Sequence, residues 1–96
     1  MAKVIELKIL TEYFDAVASG AKKAEYRYND RDYAVGDVLI LREYQDGGYT
    51  GRKVCVRITH ILTERYGIPD GWAILSIERM KGGKRKWQKR SSAQSM

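Results

Sequence analysis

Lys22, Glu25, Arg27, Asn29, Arg31 and Tyr33 stand within one short stretch of the chain, and each is a residue type that recognises a different part of a nucleotide. A guanidinium grips phosphate through two parallel hydrogen bonds, so Arg27 and Arg31 suit a phosphate backbone. Lys22 adds a compact point charge. Glu25 accepts from amino or hydroxyl groups, or orients Arg27. The Asn29 amide matches a base edge, and rings such as Tyr33 and Tyr49 stack on an unpaired base. Period-two alternation puts Lys23, Glu25 and Arg27 on one face of a strand and Ala24, Tyr26 and Tyr28 on the other. Read from residue types alone, the charged face is an ordinary solvated one, with Glu25 and Arg27 as a surface ion pair of ~0–1 kcal/mol. Asp30 is read equally as a turn cap or a ligand contact.

The elements that must position these residues follow from the hydrophobic pattern. Val4 to Leu10 is a β-rich apolar run. Thr11 is the expected N-cap of a short helix that carries Phe14, Ala16 or Val17, and Tyr13 on one side and ends at Ser19-Gly20. A strand over 23–28 leads through a polar connection to Val-Gly-Asp and a strand over 37–44, apolar on both faces and so expected to be buried on both. QDGGYTG, 45–51, reads as a hairpin loop. A strand over 52–62 precedes the loop ERYGIPDG and a last strand, WAILSIER, over 72–79. The resulting order, β-α-β-β-β-β, predicts an α+β fold: a small barrel-like sheet of about five strands with one N-terminal helix covering it.

Length and composition set the limits. Ninety-six residues fit one domain with a small core. One cysteine, Cys55, excludes an internal disulfide and a cysteine-based metal site, and a single histidine, His60, argues against a zinc centre. No metal or cofactor is expected. Cys55 reads as a packing residue, His60 as a hydrogen-bonded residue continuing the face of Val54, Val56 and Ile58, and Tyr26, Tyr28, Tyr44 and Trp72 as wall and core. The segment MAKVIELKIL is too short and charged for a signal peptide, and no run reaches the ~18 apolar residues of a membrane helix. The expectation is a soluble, cytoplasmic protein.

The net charge of +6 is unevenly distributed. Residues 79–96 hold seven basic residues and no acid, which leaves 11 basic against 12 acidic residues in 1–78. The reading is therefore a folded domain over 1–80 and a basic, disordered tail over 81–96. Lys84, Arg85, Lys86, Lys89 and Arg90 would contact RNA phosphates without sequence preference, with Trp87 able to stack.

The spacing Gly20, Lys22, Glu25, Arg27 resembles the G-x-K-x-x-E-x-R signature of ASCH domains in the PUA-like superfamily. LKIL-x-EYF, NDR, VGDVLILREY and GYTGR, spread over residues 5–78, are similar to a small stand-alone ASCH-like family of unknown function found in bacteria and phages. That family often has His at the position of Ile5. The resemblance implies a pseudo-barrel with a cleft between barrel and helix, lined by Lys22, Glu25 and Arg27, and a cleft that binds RNA or a nucleotide-like ligand. Some ASCH proteins are amidohydrolases that deacylate a modified cytidine with a Lys, a Thr and a Glu. Lys22 matches the Lys, but Glu25 holds the Thr position and the helical insertion carrying the Glu is absent. An RNA- or nucleotide-binding module is thus the leading expectation. An amidohydrolase using Lys22 and Glu25 is the alternative.

Overall fold

The computed structural model describes residues 2–64 and 67–80. One five-stranded sheet is formed by β1 (Val4–Leu10), β2 (Ala24–Tyr28), β3 (Val38–Gln45), β4 (Gly48–Leu62) and β5 (Trp72–Arg79), with one helix, α1 (Thr11–Ala18), between β1 and β2. The spatial order is β1-β3-β4-β5-β2, so β1 and β2 are the two edges. β1 runs parallel to β3, and the other pairs are antiparallel. The sheet curls into a half-barrel. It falls short of a closed barrel: among the described residues no backbone ladder joins β1 to β2. The basic tail expected over 81–96 lies outside the described residues.

Alternation builds the core. Ile5, Leu7 and Ile9 of β1, Leu39 and Leu41 of β3, Val56 and Ile58 of β4, and Ala73, Leu75 and Ile77 of β5 all face the concave side. Phe14 and Val17 insert from α1 into the same cluster, and Tyr13 stays exposed. The outer faces of β3 and β5 are only half-buried, so the expected two-sided burial of β3 does not occur. Among the described residues nothing packs behind the sheet except its own neighbours, so a side chain there meets solvent.

Two local features depart from the sequence pattern. The β3–β4 turn is only Asp46-Gly47, both at positive φ (53° and 83°), and β4 begins at Gly48. That is the two-residue hairpin geometry favoured by Asp-Gly. Thr11 does not cap the helix. Leu10 occupies the cap position without a side-chain bond, and the Thr11 hydroxyl donates to Gln45 at 3.1 Å.

The helix is fastened to the sheet through an arginine that pairs with a buried carboxylate. Between Arg42 and Tyr44 the β3–β4 register shifts, so that Thr50, Gly51 and Arg52 bulge opposite Glu43. Bulges re-aim side chains, and here both flanking residues reach one carboxylate. Thr50 Oγ1 donates to Glu43 Oε1 at 2.6 Å, and Arg52 donates through Nε (2.7 Å) and Nη2 (2.8 Å). Gly51, at φ +98°, permits the bend. Arg52 also reaches Asp15 of α1 at 3.1 Å and lies over the Phe14 ring. At the other end, Asp37 accepts from the backbone N–H and ammonium of Lys3 and the N–H of Ala34, which ties the start of β1 to the turn before β3. Burial would raise the Asp37 pKa, but these donors outweigh it and hold it low.

The Glu43 carboxyl is drawn from 4.5 to about 2, first by Arg52 and then by Thr50. A carboxylate with a depressed folded pKa stabilises the fold above its unfolded pKa and ceases to as pH falls through its folded pKa. Thermal unfolding should therefore show stability falling as pH drops from about 4.5 towards about 2. Glu43→Gln should be less stable at neutral pH and lose less over that acid window. An unchanged acid slope would exclude Glu43 as its source.

Candidate functional site

Strand β2 carries the charged residues inward. Glu25 faces the concave side and is 6% exposed, whereas Tyr26 and Tyr28 are 52% and 54% exposed. The expected assignment of Tyr26 and Tyr28 to wall and core is thereby reversed. One face of an edge strand must meet the interior, and here it is the face with the carboxylate. An ionised carboxylate there needs partners on both oxygens. Lys22 Nζ donates to Oε1 at 2.7 Å and Arg27 Nε to Oε2 at 2.8 Å. The Lys22 ammonium also donates to the Ala24 carbonyl.

The helix terminus sets the position of Lys22. Gly20 adopts φ +87°, and the N–H groups of Ser19, Gly20 and Lys22 satisfy the carbonyls of Asp15, Val17 and Ala16. Lys22 thus leaves the helix at a fixed height, three residues before Glu25. Arg27 does more than neutralise. Its Nη2 donates to the Lys8 carbonyl at 2.8 Å, across the gap between the two edge strands. One guanidinium therefore joins β2 to β1 where no ladder does.

That gap is a groove. Its central section, of about 400 Å³, is lined by Lys8, Ile9, Leu10 and Tyr13 on one side and by Glu25 to Tyr28 and Trp72 on the other. It continues towards the helix through a hollow formed by Tyr13, Lys22, Glu25 and Tyr26. It continues the other way into a pocket of about 250 Å³ bounded by Leu7, Lys8, Arg27, Tyr28, Asp30, Arg31 and Tyr33. Lys22 also borders a hollow of about 530 Å³ between the end of α1 and strands β4 and β5, together with Lys23, Thr59 and Arg79. That hollow occupies the expected place between helix and barrel, but Glu25 and Arg27 are not in its lining.

Aromatic residues form the outer lip. Tyr26 stacks on Trp72 with ring centres 4.9 Å apart, and Tyr28 meets the same indole edge-on at 5.6 Å. Gly71, at φ +84°, allows this arrangement, because a Cβ there would meet the Tyr28 ring at 3.0 Å. Sequence reasoning missed Lys8, Tyr13, Tyr26, Tyr28 and Trp72 as groove residues. The available signal was the strand alternation itself. Once Glu25 is known to point in, the two tyrosines must point out.

The remaining sequence-derived candidates separate by position. Asn29 accepts from the Tyr33 N–H at 3.0 Å through its side-chain oxygen and donates its own N–H to Gly71, so its acceptor serves the turn. Arg31 is exposed beside Arg27. Tyr33 is 7% exposed and belongs to the core cluster, so its ring is not free to stack as expected. Burial pushes its phenol pKa up, against the opposite pull of Arg27. His60 is exposed rather than continuing the Val54-Val56-Ile58 face, because Thr59 forms a bulge that shifts the alternation by one. Tyr49 is exposed on the hairpin, against Tyr44 and Arg42. Lys84, Arg85, Lys86, Trp87, Lys89 and Arg90 lie outside the described residues. Among the described residues no three His, Cys, Asp or Glu side chains gather to hold a metal, and no helix is long and apolar enough to cross a membrane.

Residues 4–77 match the family model described as a domain of unknown function, DUF3850, and the chain belongs to that family. It is also similar to a protein of Escherichia phage P2 described as an uncharacterized 12.9 kDa protein in the GpA 3' region, with 52% identity over 61 residues. The match covers 64% of this chain and 56% of the phage protein, so it spans little more than half of the relative's length.

Removing one partner of a buried ion pair costs about 3–5 kcal/mol when burial is complete. Arg27 is a quarter exposed, which reduces this. Arg27→Ala should destabilise the chain by about 2–3 kcal/mol and lower its thermal midpoint by about 10 °C or more. Arg31→Ala should change stability by less than about 0.5 kcal/mol. Equal, small effects of both in a thermal melt would show that Arg27 does not hold the seam.

Proposed function

We propose that this chain is a PUA-like module of the ASCH type that binds RNA or a nucleotide-like ligand along the groove between β1 and β2. One observation supports the reading above the rest. Exposed aromatic faces and cationic side chains line the same continuous groove, the aromatics on its outer lip and Lys22, Arg27 and Arg31 along its length. Unpaired bases stack on aromatic rings with little sequence preference, while guanidinium and ammonium groups follow the phosphates. Stacking is worth roughly 1–3 kcal/mol per base. The groove is open on its outer side, as a single strand or a flipped base requires.

The same geometry favours binding over deacylation. A general base must lie within hydrogen-bond reach of the proton it takes, and cations held on a carboxylate compete for that place. Both Glu25 oxygens are held by cations, and Lys22 is committed to Glu25 and to the Ala24 carbonyl. Incubation with N4-acetylcytidine should therefore release no cytidine. Release that disappears in Lys22→Ala would replace the binding reading with the amidohydrolase one.

Tyr26→Ala provides the positive test, since the ring is half exposed and its loss leaves the Glu25 pairs in place. Affinity for single-stranded RNA, followed by fluorescence anisotropy, should fall about tenfold with the thermal midpoint nearly unchanged. Undiminished affinity would remove base stacking on this lip from the mechanism.

A further inference from the structure

The pocket at the Asn29–Tyr33 end of the groove has a property that the rest of the groove lacks. Three cations, Lys8, Arg27 and Arg31, line it against one carboxylate, Asp30. Tyr33 is more than nine-tenths buried and also lines it. Among the described residues the Tyr33 hydroxyl has no hydrogen-bond partner, although its own backbone N–H is satisfied by Asn29. A hydroxyl with no protein partner on the wall of a pocket can bond a group that enters it. The phenol is protonated at neutral pH and burial pushes its pKa further up, so its O–H is available to donate to an acceptor arriving in the pocket. Arg27 uses Nε and Nη2 on Glu25 and Lys8, and its Nη1 has no partner among the described residues. Arg31 is exposed, with no ion-pair partner among the described residues. Lys8 places its ammonium 4.1 Å from the Tyr44 ring centre, so that charge is already engaged and the free donors of the pocket are the two arginines.

We infer that this pocket is a phosphate subsite, in which the Tyr33 hydroxyl and the Arg27 and Arg31 guanidiniums donate to the oxygens of one phosphate group. The ligand class follows from this: a phosphorylated nucleotide or strand end, its phosphate between Arg27 and Arg31 and its base on the lip formed by Tyr26, Tyr28 and Trp72. The phosphate part depends on the pocket alone, and the nucleotide part rests on the groove reading above. Asp30 then limits affinity, because its carboxylate repels the bound anion.

The test is an NMR titration of the full chain with inorganic phosphate, with uridine 5′-monophosphate and with uridine, read at the backbone amides of Asn29 to Tyr33. Phosphate and the monophosphate should shift these amides, and uridine should bind at least tenfold more weakly than its monophosphate. Tyr33→Phe keeps the buried ring and should lose about tenfold in phosphate affinity with no drop in thermal midpoint. Arg31→Gln, at an exposed position, should lose a similar factor. Asp30→Asn should gain several-fold, a change that a purely structural role for this turn would not produce. Equal phosphate affinity in Tyr33→Phe, or phosphate shifts confined to residues 81–96, would overturn the subsite. Phosphate binding at these amides without any RNA binding would leave the subsite standing and remove the groove reading, whereas RNA binding insensitive to Tyr33→Phe, Arg31→Gln and phosphate would do the reverse.

Discussion

A single carboxylate placed inside a half-barrel is the constraint from which the site follows. Glu25 sits among Leu75, Ile9 and their neighbours on the concave side, where an uncompensated charge would cost several kcal/mol. Its partners must therefore come from positions that the chain can fix. Lys22 is fixed by the helix terminus and Arg27 by the same strand two residues later. Because Arg27 is anchored at Glu25, its other nitrogen has the reach and direction to bind the Lys8 carbonyl on the opposite edge. Edge strands expose unpaired backbone groups that invite aggregation. Here a side chain bridges the two edges, so the sheet is held together while the space between them stays open. A backbone ladder would have filled the groove.

The two buried glutamates divide the structural work. Glu43 sits beneath a bulge and binds Arg52 and Thr50, and through Arg52 it holds α1 against the sheet. Its partners rise from the bulge, with Arg52 about half exposed and reaching the helix, and Glu43 does not line the groove. Glu25 is bonded at the seam itself, where its partners also face solvent in part. The difference explains why a substitution near Glu43 bears on stability alone, whereas one near Glu25 bears on both stability and the shape of the groove. A binding site built around a structural ion pair gains a rigid floor.

Much of the fold was legible from alternation and turn chemistry. WAILSIER reads directly as β5, with Ala73, Leu75 and Ile77 inward, and Ser19-Gly20 ends the helix as its residue types require. Other features required knowledge of contacts distant in sequence. Nothing local indicates that Thr50 and Arg52 bulge towards Glu43, which sits across the hairpin, and QDGGYTG therefore reads as loop when most of it is strand. The bulge at Thr59 reverses the face on which His60 falls. At the site, the grouping of Lys22, Glu25 and Arg27 was legible. Its sense was not: hydropathy places tyrosines inside and charges outside, and only the burial of the ion pair inverts that choice. Tyr33 differs for the opposite reason, since it is buried in the core cluster and yet borders the groove end.

The dependence of the groove on the Glu25 ion pair is tested most directly by a double-mutant cycle. Wild type, Glu25→Gln, Arg27→Met and the double variant would each be measured for unfolding free energy and for affinity towards single-stranded RNA. Each single variant leaves a buried group without its partner, whereas the double removes both. The stability changes should therefore fall short of additivity by about 2 kcal/mol, and RNA affinity should fall in every variant that lacks Arg27. Additivity to within about 0.5 kcal/mol, with RNA affinity unaltered throughout, would contradict the view that this ion pair builds the site.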